Sequence, residues 1–210
     1  MAQIQRPTVL LTGATGYIAS QLLPVFRQRY QLRLIDVRTT DRDGEAVEGV
    51  QVADLVEADD TTLRPHFAGC DAVVHLGYHR GPRTAEDWRA RQYEPERRNV
   101  DMAQRVFQLS LDEGVPRVVM ASSNHAADWY EHLIHVGKMD MVDPDRTPPR
   151  SDNYYGWAKL AYEGLGFLFA TGALGRKLEN VQIRIGAPRE ISARTFFPNG
   201  PRSAGDAVTY

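Results

Sequence analysis

Cysteine is almost absent. Cys70 is the only one in 210 residues, so no disulfide can form within the chain, which suits a reducing compartment and places the expected location in the cytoplasm. Long apolar runs are missing too. No stretch reaches the ~20 residues that a bilayer-spanning helix needs, so no membrane partner is expected. The first residues, MAQIQRPTVLL, lack the apolar core and cleavage site of a signal peptide. An excess of charge of either sign is missing: the formal net charge is −2. That leaves no electrostatic footprint for nucleic acid. Repeats of solenoid length and low-complexity segments are absent. Zinc-ligand spacing is absent as well. His132 and His135 lie near Asp128, Glu131 and Asp140, but no third ligand stands at a recognisable spacing. No metal is expected.

Short apolar runs alternating with helical stretches are what the chain does have. TVLLTG (8–13), LRLIDV (32–37), VQVADL (50–55), DAVVHLG (71–77), RVVMASS (117–123) and VQIRIG (181–186) read as strands. Helices are predicted over 16–29, over a short piece ending near Gly69, over 94–113 and over 152–173. Pro24 is an awkward interior residue that would kink the first of them. Residues 124–151 read as a long connection, and His75 as a satisfied interior histidine. Short buried strands separated by helices predict a parallel sheet covered on both faces, a doubly wound α/β fold of Rossmann type. Residues 1–186 are expected to form one dinucleotide-binding domain that includes the catalytic residues. Residues 187–210 are expected to be a short C-terminal segment on the substrate side.

The first strand runs into LLTGATGYIAS (10–20). Gly13 permits a tight turn, and Gly16 lets the backbone approach a pyrophosphate. Ala19 is small enough for the helix to pack on the strand. The free N–H groups of the helix N-terminus then face the phosphates. An acid follows on schedule: Asp36 ends the second strand, where a carboxylate binds a ribose 2′-hydroxyl and repels a 2′-phosphate. NAD is therefore expected over NADP, with Arg38 close by as a counterweight.

Tyr155 and Lys159, in YYGWAK, are four residues apart on a helix and share a face. An ammonium beside a phenol favours the phenolate and lowers its pKa. Such a pair can take a proton from an alcohol while its hydrogen leaves for a nicotinamide. Tyr154 is off that face. Ser122 and Ser123 end the fifth strand at the carboxyl edge of the sheet, where ligands bind in open α/β folds. A hydroxyl there could orient a substrate oxygen.

In this order the motifs resemble the extended, sugar-handling branch of the short-chain dehydrogenase/reductase superfamily. The likeness runs from about residue 8 to 186 and rests on Gly13 to Ala19, Asp36, Asp54, HLG at 75–77, Asn99, Ser123, Tyr155 and Lys159. ASSNH (121–125), YGWAK, IRIG (183–186) and the TFF that follows are similar to NAD-dependent uronate dehydrogenases. The resemblance implies NAD contacts from Gly13, Thr15, Gly16, Tyr17, Ile18, Asp36, Asp54, Leu55, Leu76, Gly77, Asn99, Tyr155 and Lys159. It implies substrate contacts from Ser123, Asn124, His125 and Tyr155. Outside the resemblance, Arg80 and Arg194 are candidate cations for an acid. Three departures stand out. Tyr17 replaces a glutamine, Tyr78-His79-Arg80 replaces a serine after HLG, and Ala187 replaces a serine after RIG. Each family residue helps hold the sugar acid.

The leading expectation is an NAD-dependent oxidoreductase acting on a sugar or sugar acid. A nucleotide-sugar epimerase or dehydratase uses the same residues. A non-catalytic dinucleotide-binding regulator is the alternative of a different class: the short C-terminal region favours it, and the intact Tyr155–Lys159 pair opposes it. The partner expected is a small sugar or sugar acid, with assembly as a homo-oligomer left open.

Overall fold

The computed structural model describes residues 6–82 and 89–186. Six strands form one sheet: β1 (Thr8–Thr12), β2 (Gln31–Asp36), β3 (Val50–Val52), β4 (Ala72–His75), β5 (Arg117–Ser123) and β6 (Glu179–Ile185). Their order is β3-β2-β1-β4-β5-β6, and each neighbouring pair is parallel. Helices α1 (Tyr17–Arg29), α2 (Asp60–Phe67), α3 (Tyr93–Asp112) and α5 (Tyr154–Ala170) connect the strands. The chain leaves β1 toward β2 on one side and returns to β4 on the other. That reversal opens a crevice beyond the carboxyl ends of β1 and β4, the place where ligands bind in such sheets.

Alternation along the strands explains the two-sided core. Leu10, Ile35, Val73, Val118 and Met120 face one way, against Leu63 and Phe67 of α2, Met102, Val106 and Phe107 of α3, and Tyr162 and Phe169 of α5. Val9, Leu11, Leu34 and Val74 face the other way, against Ala19 and Leu23 of α1. Residues two apart on a strand share a face, so each of these strands feeds both layers. Phe107 and Phe169 stack with ring centroids 5.3 Å apart and lock α3 to α5.

The doubly wound reading holds, with differences at its margins. β3 stops at Val52: the Ala53 N–H makes the last bond to β2, on the Asp36 carbonyl, and Asp54 then turns the chain with its own carboxylate. α1 runs through Pro24 to Arg29 as one helix. Residues 124–151 are not a plain connection. Ser123 caps a 3₁₀ helix, Asn124–Tyr130, which passes into a short α4, Glu131–His135. No helix among the described residues is long and apolar enough to cross a membrane.

Candidate active site

The crevice is a cleft of about 1880 Å³. Its floor is the glycine turn. Gly13 sits at φ +68°, and Gly16 begins α1 without any side-chain cap. The first N–H groups of α1 have no intrahelical acceptor, so they remain for a ligand. Thr15, Tyr17 and Ile18 line the cleft beside them. The Asp36 carboxylate reaches into the turn: its Oδ2 accepts the Thr15 backbone N–H at 2.9 Å and the Thr15 hydroxyl at 2.8 Å. Arg38 donates to the same Thr15 hydroxyl at 3.3 Å, and the Arg42 guanidinium lies 4.5 Å from the centre of the Tyr17 ring. Asp54, Leu55, Leu76 and Gly77 complete this half of the lining. A glycine cradle, helix N–H groups with no side-chain cap among the described residues and a carboxylate at the end of β2 are the set of groups that a dinucleotide needs. These residues fit NAD.

The other half of the cleft gathers Tyr78, His79, Arg80, Ser123, Asn124, His125, Tyr155 and Lys159. α5 carries Tyr155 and Lys159. Asn153 caps it, accepting the Gly156 N–H at 2.9 Å. A Cβ on Gly156 would overlap the His125 carbonyl and the Ser151 side chain, so only glycine lets α5 lie flush on the 3₁₀ helix. That contact sets the Tyr155 ring 5.4 Å from the His125 ring. His125 Nδ1 pairs with Asp128 at 2.5 Å, and Asn153 donates to the same carboxylate at 2.9 Å. Tyr154 turns instead to Tyr93 and Trp157.

The two serines separate. Ser122 donates to Glu163 at 2.7 Å, and Arg184 forks the same carboxylate. Ser123 is left to the cleft, with its Oγ accepting the His125 N–H at 3.3 Å. Lys159 is buried, and its ammonium donates to the Ala121 carbonyl at 2.9 Å. Burial pushes its pKa down to about 8, with the Glu96 charge acting the other way.

The expected lowering of the Tyr155 pKa is not what this arrangement gives. Burial raises it, and the carboxylates of Glu96 and Asp128 raise it further, against a Ser123 hydrogen bond that lowers it. The Lys159 ammonium is held on a backbone carbonyl and meets the Tyr155 ring, 5.4 Å from its centre. Desolvation of the phenolate therefore wins.

Asn99 stands behind the cleft, fully buried. Its amide clamps the segment after β4, accepting the His79 N–H at 2.7 Å and donating to the His79 carbonyl at 2.9 Å. His75 is satisfied at one nitrogen only. Nδ1 meets the Thr12 hydroxyl at 2.6 Å, while buried Nε2 has no partner among the described residues, and burial holds the ring neutral with a pKa of about 3. Arg194 and Ala187 lie outside the described residues. Among the described residues no group of three or more His, Cys, Asp or Glu side chains gathers to hold a metal ion.

Residues 9–169 match the model of the NAD dependent epimerase/dehydratase family. The chain belongs to that family. Its relatives include an NAD-dependent glucose-6-phosphate dehydrogenase of Haloferax volcanii, 34% identical over 75% of this chain and 61% of that protein. A uronate dehydrogenase of Pseudomonas syringae pv. tomato is 30% identical over 85% of this chain and 58% of that protein. Among solved structures, MoeE5 in complex with UDP-glucose and NAD is 29% identical with a TM-score of 0.62, covering 84% of this chain and 53% of that one. The chain thus spans about three-fifths of the length of these curated relatives. The extended short-chain dehydrogenase/reductase fold is as expected. Likeness to uronate dehydrogenases is shared with a family member named for a sugar phosphate.

Sequence reasoning missed the roles of three residues of the site: Glu96, Asp128 and Asn153. Of these, only Asn153 had a local cue, as a capping residue directly before an apolar helix.

Proposed function

We propose that this chain is an NAD-dependent oxidoreductase acting on a sugar or sugar acid. One observation carries the reading. Ser123, Tyr155 and Lys159 meet at the carboxyl edge of the sheet in the same cleft as the glycine turn and Asp36. The cofactor half would be held by Gly13, Thr15, Gly16, Tyr17 and Ile18 at the phosphates and by Asp36 at the ribose. Asp54, Leu55, Leu76 and Gly77 would flank it. When bound, NAD would supply the acceptor for the hydride of the oxidised carbon. The Ser123 hydroxyl holds the substrate oxygen, and the Tyr155 oxygen takes its proton. Lys159 supplies positive charge beside the phenolate. Asn124, His125 and Arg80 line the space left for the sugar.

The relatives act on differently substituted sugars by their names, so a panel decides the substrate. Purified protein with NAD is offered aldoses, sugar phosphates, hexuronates and nucleotide sugars, and NADH is read by its near-ultraviolet absorbance. NADH formation with one class supports the reading, and silence with all of them counts against it. An altered nucleotide sugar recovered without net NADH would instead mark an epimerase or dehydratase.

Within that panel, glucuronate and galacturonate are expected to be poor substrates. The Tyr78 hydroxyl is engaged by Glu96, and Arg42 covers the Tyr17 ring, so neither position offers the small polar group of a uronate enzyme. Each substrate hydroxyl left without its partner costs about 1–3 kcal/mol. Turnover of either hexuronate with a KM of about 1 μM to 1 mM, the ordinary range for enzymes, would overturn this.

Cofactor choice is testable by itself. Asp36→Ala removes the carboxylate that repels a 2′-phosphate. Calorimetric titration is expected to show the preference for NAD over NADP shrinking about ten- to hundredfold, the scale of a hydrogen bond to a charged group. A wild-type protein that binds NADP more tightly than NAD would contradict the role given to Asp36.

A further inference from the structure

Proton transfer as proposed engages Ser123, Tyr155 and Lys159, and Glu96 has no part in it. Yet Glu96 lies in the first turn of α3 only 1% exposed. A carboxylate taken out of water must be hydrogen-bonded, or its burial is strongly unfavourable. Its Oε1 accepts the Tyr78 hydroxyl at 2.5 Å, and its Oε2 accepts Asn99 Nδ2 at 3.2 Å. One helical turn on, Asn99 holds the backbone of His79. The start of α3 thus fixes residues 78 and 79 at two points.

What Glu96 holds in place matters for the chemistry. The Tyr78 ring stands edge-on to the Tyr155 ring, with centroids 5.6 Å apart. Three phenol rings surround the Lys159 ammonium, with centres at 4.5 Å for Tyr162, 5.4 Å for Tyr155 and 5.7 Å for Tyr78. Those distances are within the reach of a cation–π contact. Tyr162 and Tyr155 belong to α5 with Lys159, so their positions are set by the helix. Tyr78 comes from the segment after β4, and its hydroxyl is tied to Glu96.

We infer that Glu96 is a positioning residue for the proton-transfer pair: its carboxylate fixes Tyr78 as the third wall of a tyrosine cage around Lys159 and keeps a negative charge beside the Tyr155 phenol. This rests on the reading of Tyr155 as proton acceptor. The groups that face Tyr155 are Ser123 from β5, His125 and Asp128 from the 3₁₀ helix, Lys159 and Tyr162 from α5, Tyr78 from the segment after β4, and Glu96 from α3. Glu96 opposes ionisation of the phenol and supports the charge of the ammonium. One carboxylate therefore holds the pair in its resting protonation state, with the proton on Tyr155 and the charge on Lys159.

Tyrosinate absorbance tests this without any substrate. Titration of the full chain, minus the same titration of its Tyr155→Phe counterpart, isolates the Tyr155 phenol. Lys159, with a pKa of about 8, has lost its charge before that phenol titrates, so the shift reports on Glu96. Glu96→Gln keeps the size and hydrogen-bonding capacity but not the charge. It is expected to raise the acidity constant of Tyr155 about tenfold, as removal of a nearby like charge does. Tyr78→Phe keeps the carboxylate and deletes the hydroxyl that shares its charge, so it is expected to move the titration the opposite way. A Tyr155 titration unchanged in Glu96→Gln overturns the proposal. Should that variant fail to fold, Tyr78→Phe decides, and an unmoved titration there overturns it equally. Turnover is not read, so the outcome stands apart from the functional reading. A shifted phenol in a protein that keeps full activity as Tyr155→Phe would sink the oxidoreductase mechanism and leave the Glu96 coupling intact.

Discussion

Tyr155→Phe is expected to lose about 10²- to 10⁴-fold in turnover, the usual contribution of a general base, while NAD binds almost as in the wild type. The substitution deletes one oxygen. The ring keeps its edge contacts with Tyr78 at 5.6 Å and His125 at 5.4 Å, so α5 and the 3₁₀ helix have no reason to move. Lys159 keeps its hydrogen bond to the Ala121 carbonyl. What is lost is the proton acceptor and its hydrogen bond with Ser123. Steady-state kinetics on the best substrate of the panel, beside calorimetric titration with NAD, separates the two effects. Wild-type turnover in this variant would remove Tyr155 from the mechanism.

A pH profile follows from the same environment. Activity needs the Tyr155 phenolate beside the Lys159 ammonium. With Lys159 near 8 and Tyr155 raised by burial, that state is the minor arrangement of a pair that holds one proton. Such a pair titrates as a unit. On the acid side the pair holds both protons and must release one, so kcat/KM climbs as pH rises. It levels off near pH 8, where the first of the two protons is gone. A profile that falls as pH rises from 6 to about 8 would contradict this order of ionisation.

Those parts of the site that depend on short spacing were legible in the sequence. Gly13, Gly16 and Asp36 declare themselves because strand, turn, helix and the next strand follow in order. Tyr155 and Lys159 do so because four residues make one helical turn. The remainder depends on packing between distant segments. Tyr78 and Glu96 are 18 positions apart and meet only because α3 lies beside the end of β4. Thr12 and His75 are 63 apart and become neighbours through strand pairing. Nothing local marks the Ala121 carbonyl as the resting place of the Lys159 ammonium, nor the burial that raises the Tyr155 pKa. The 3₁₀ helix after β5 lacks a 3.6-residue apolar period and reads as a loop. It is held instead by the Ser123 cap and by the flush contact at Gly156.

Gly13→Ala should be the most damaging change to the architecture of the site. At φ +68° any side chain is strained, by about 1–2 kcal/mol for a left-handed residue. Space is the second obstacle. A Cβ there would lie 2.7 Å from the Gly77 nitrogen and 2.7 Å from the Leu76 carbonyl carbon. Both are backbone atoms, and they cannot swing aside as a long side chain would. Leu76 is anchored by its N–H on the Thr12 carbonyl at 3.1 Å, continuing the β1–β4 pairing. Forcing an extra methyl into a packed site costs about 1–3 kcal/mol more. The sheet would have to part at the reversal point where the cleft opens. Thermal unfolding is expected to show a clear fall in Tm, and NAD should no longer stabilise the protein. Gly16→Ala is the control. Its backbone is already extended, at φ −76°, and its Cβ would lie 3.1 Å from the Gly13 carbonyl oxygen, a tight contact that a small shift relieves. The fold should survive it. If NAD affinity falls in Gly16→Ala while Tm holds, the second glycine is there for close approach of a phosphate. If Gly13→Ala keeps both the wild-type Tm and NAD binding, the turn is not the rigid seat that its dihedral and its neighbours require.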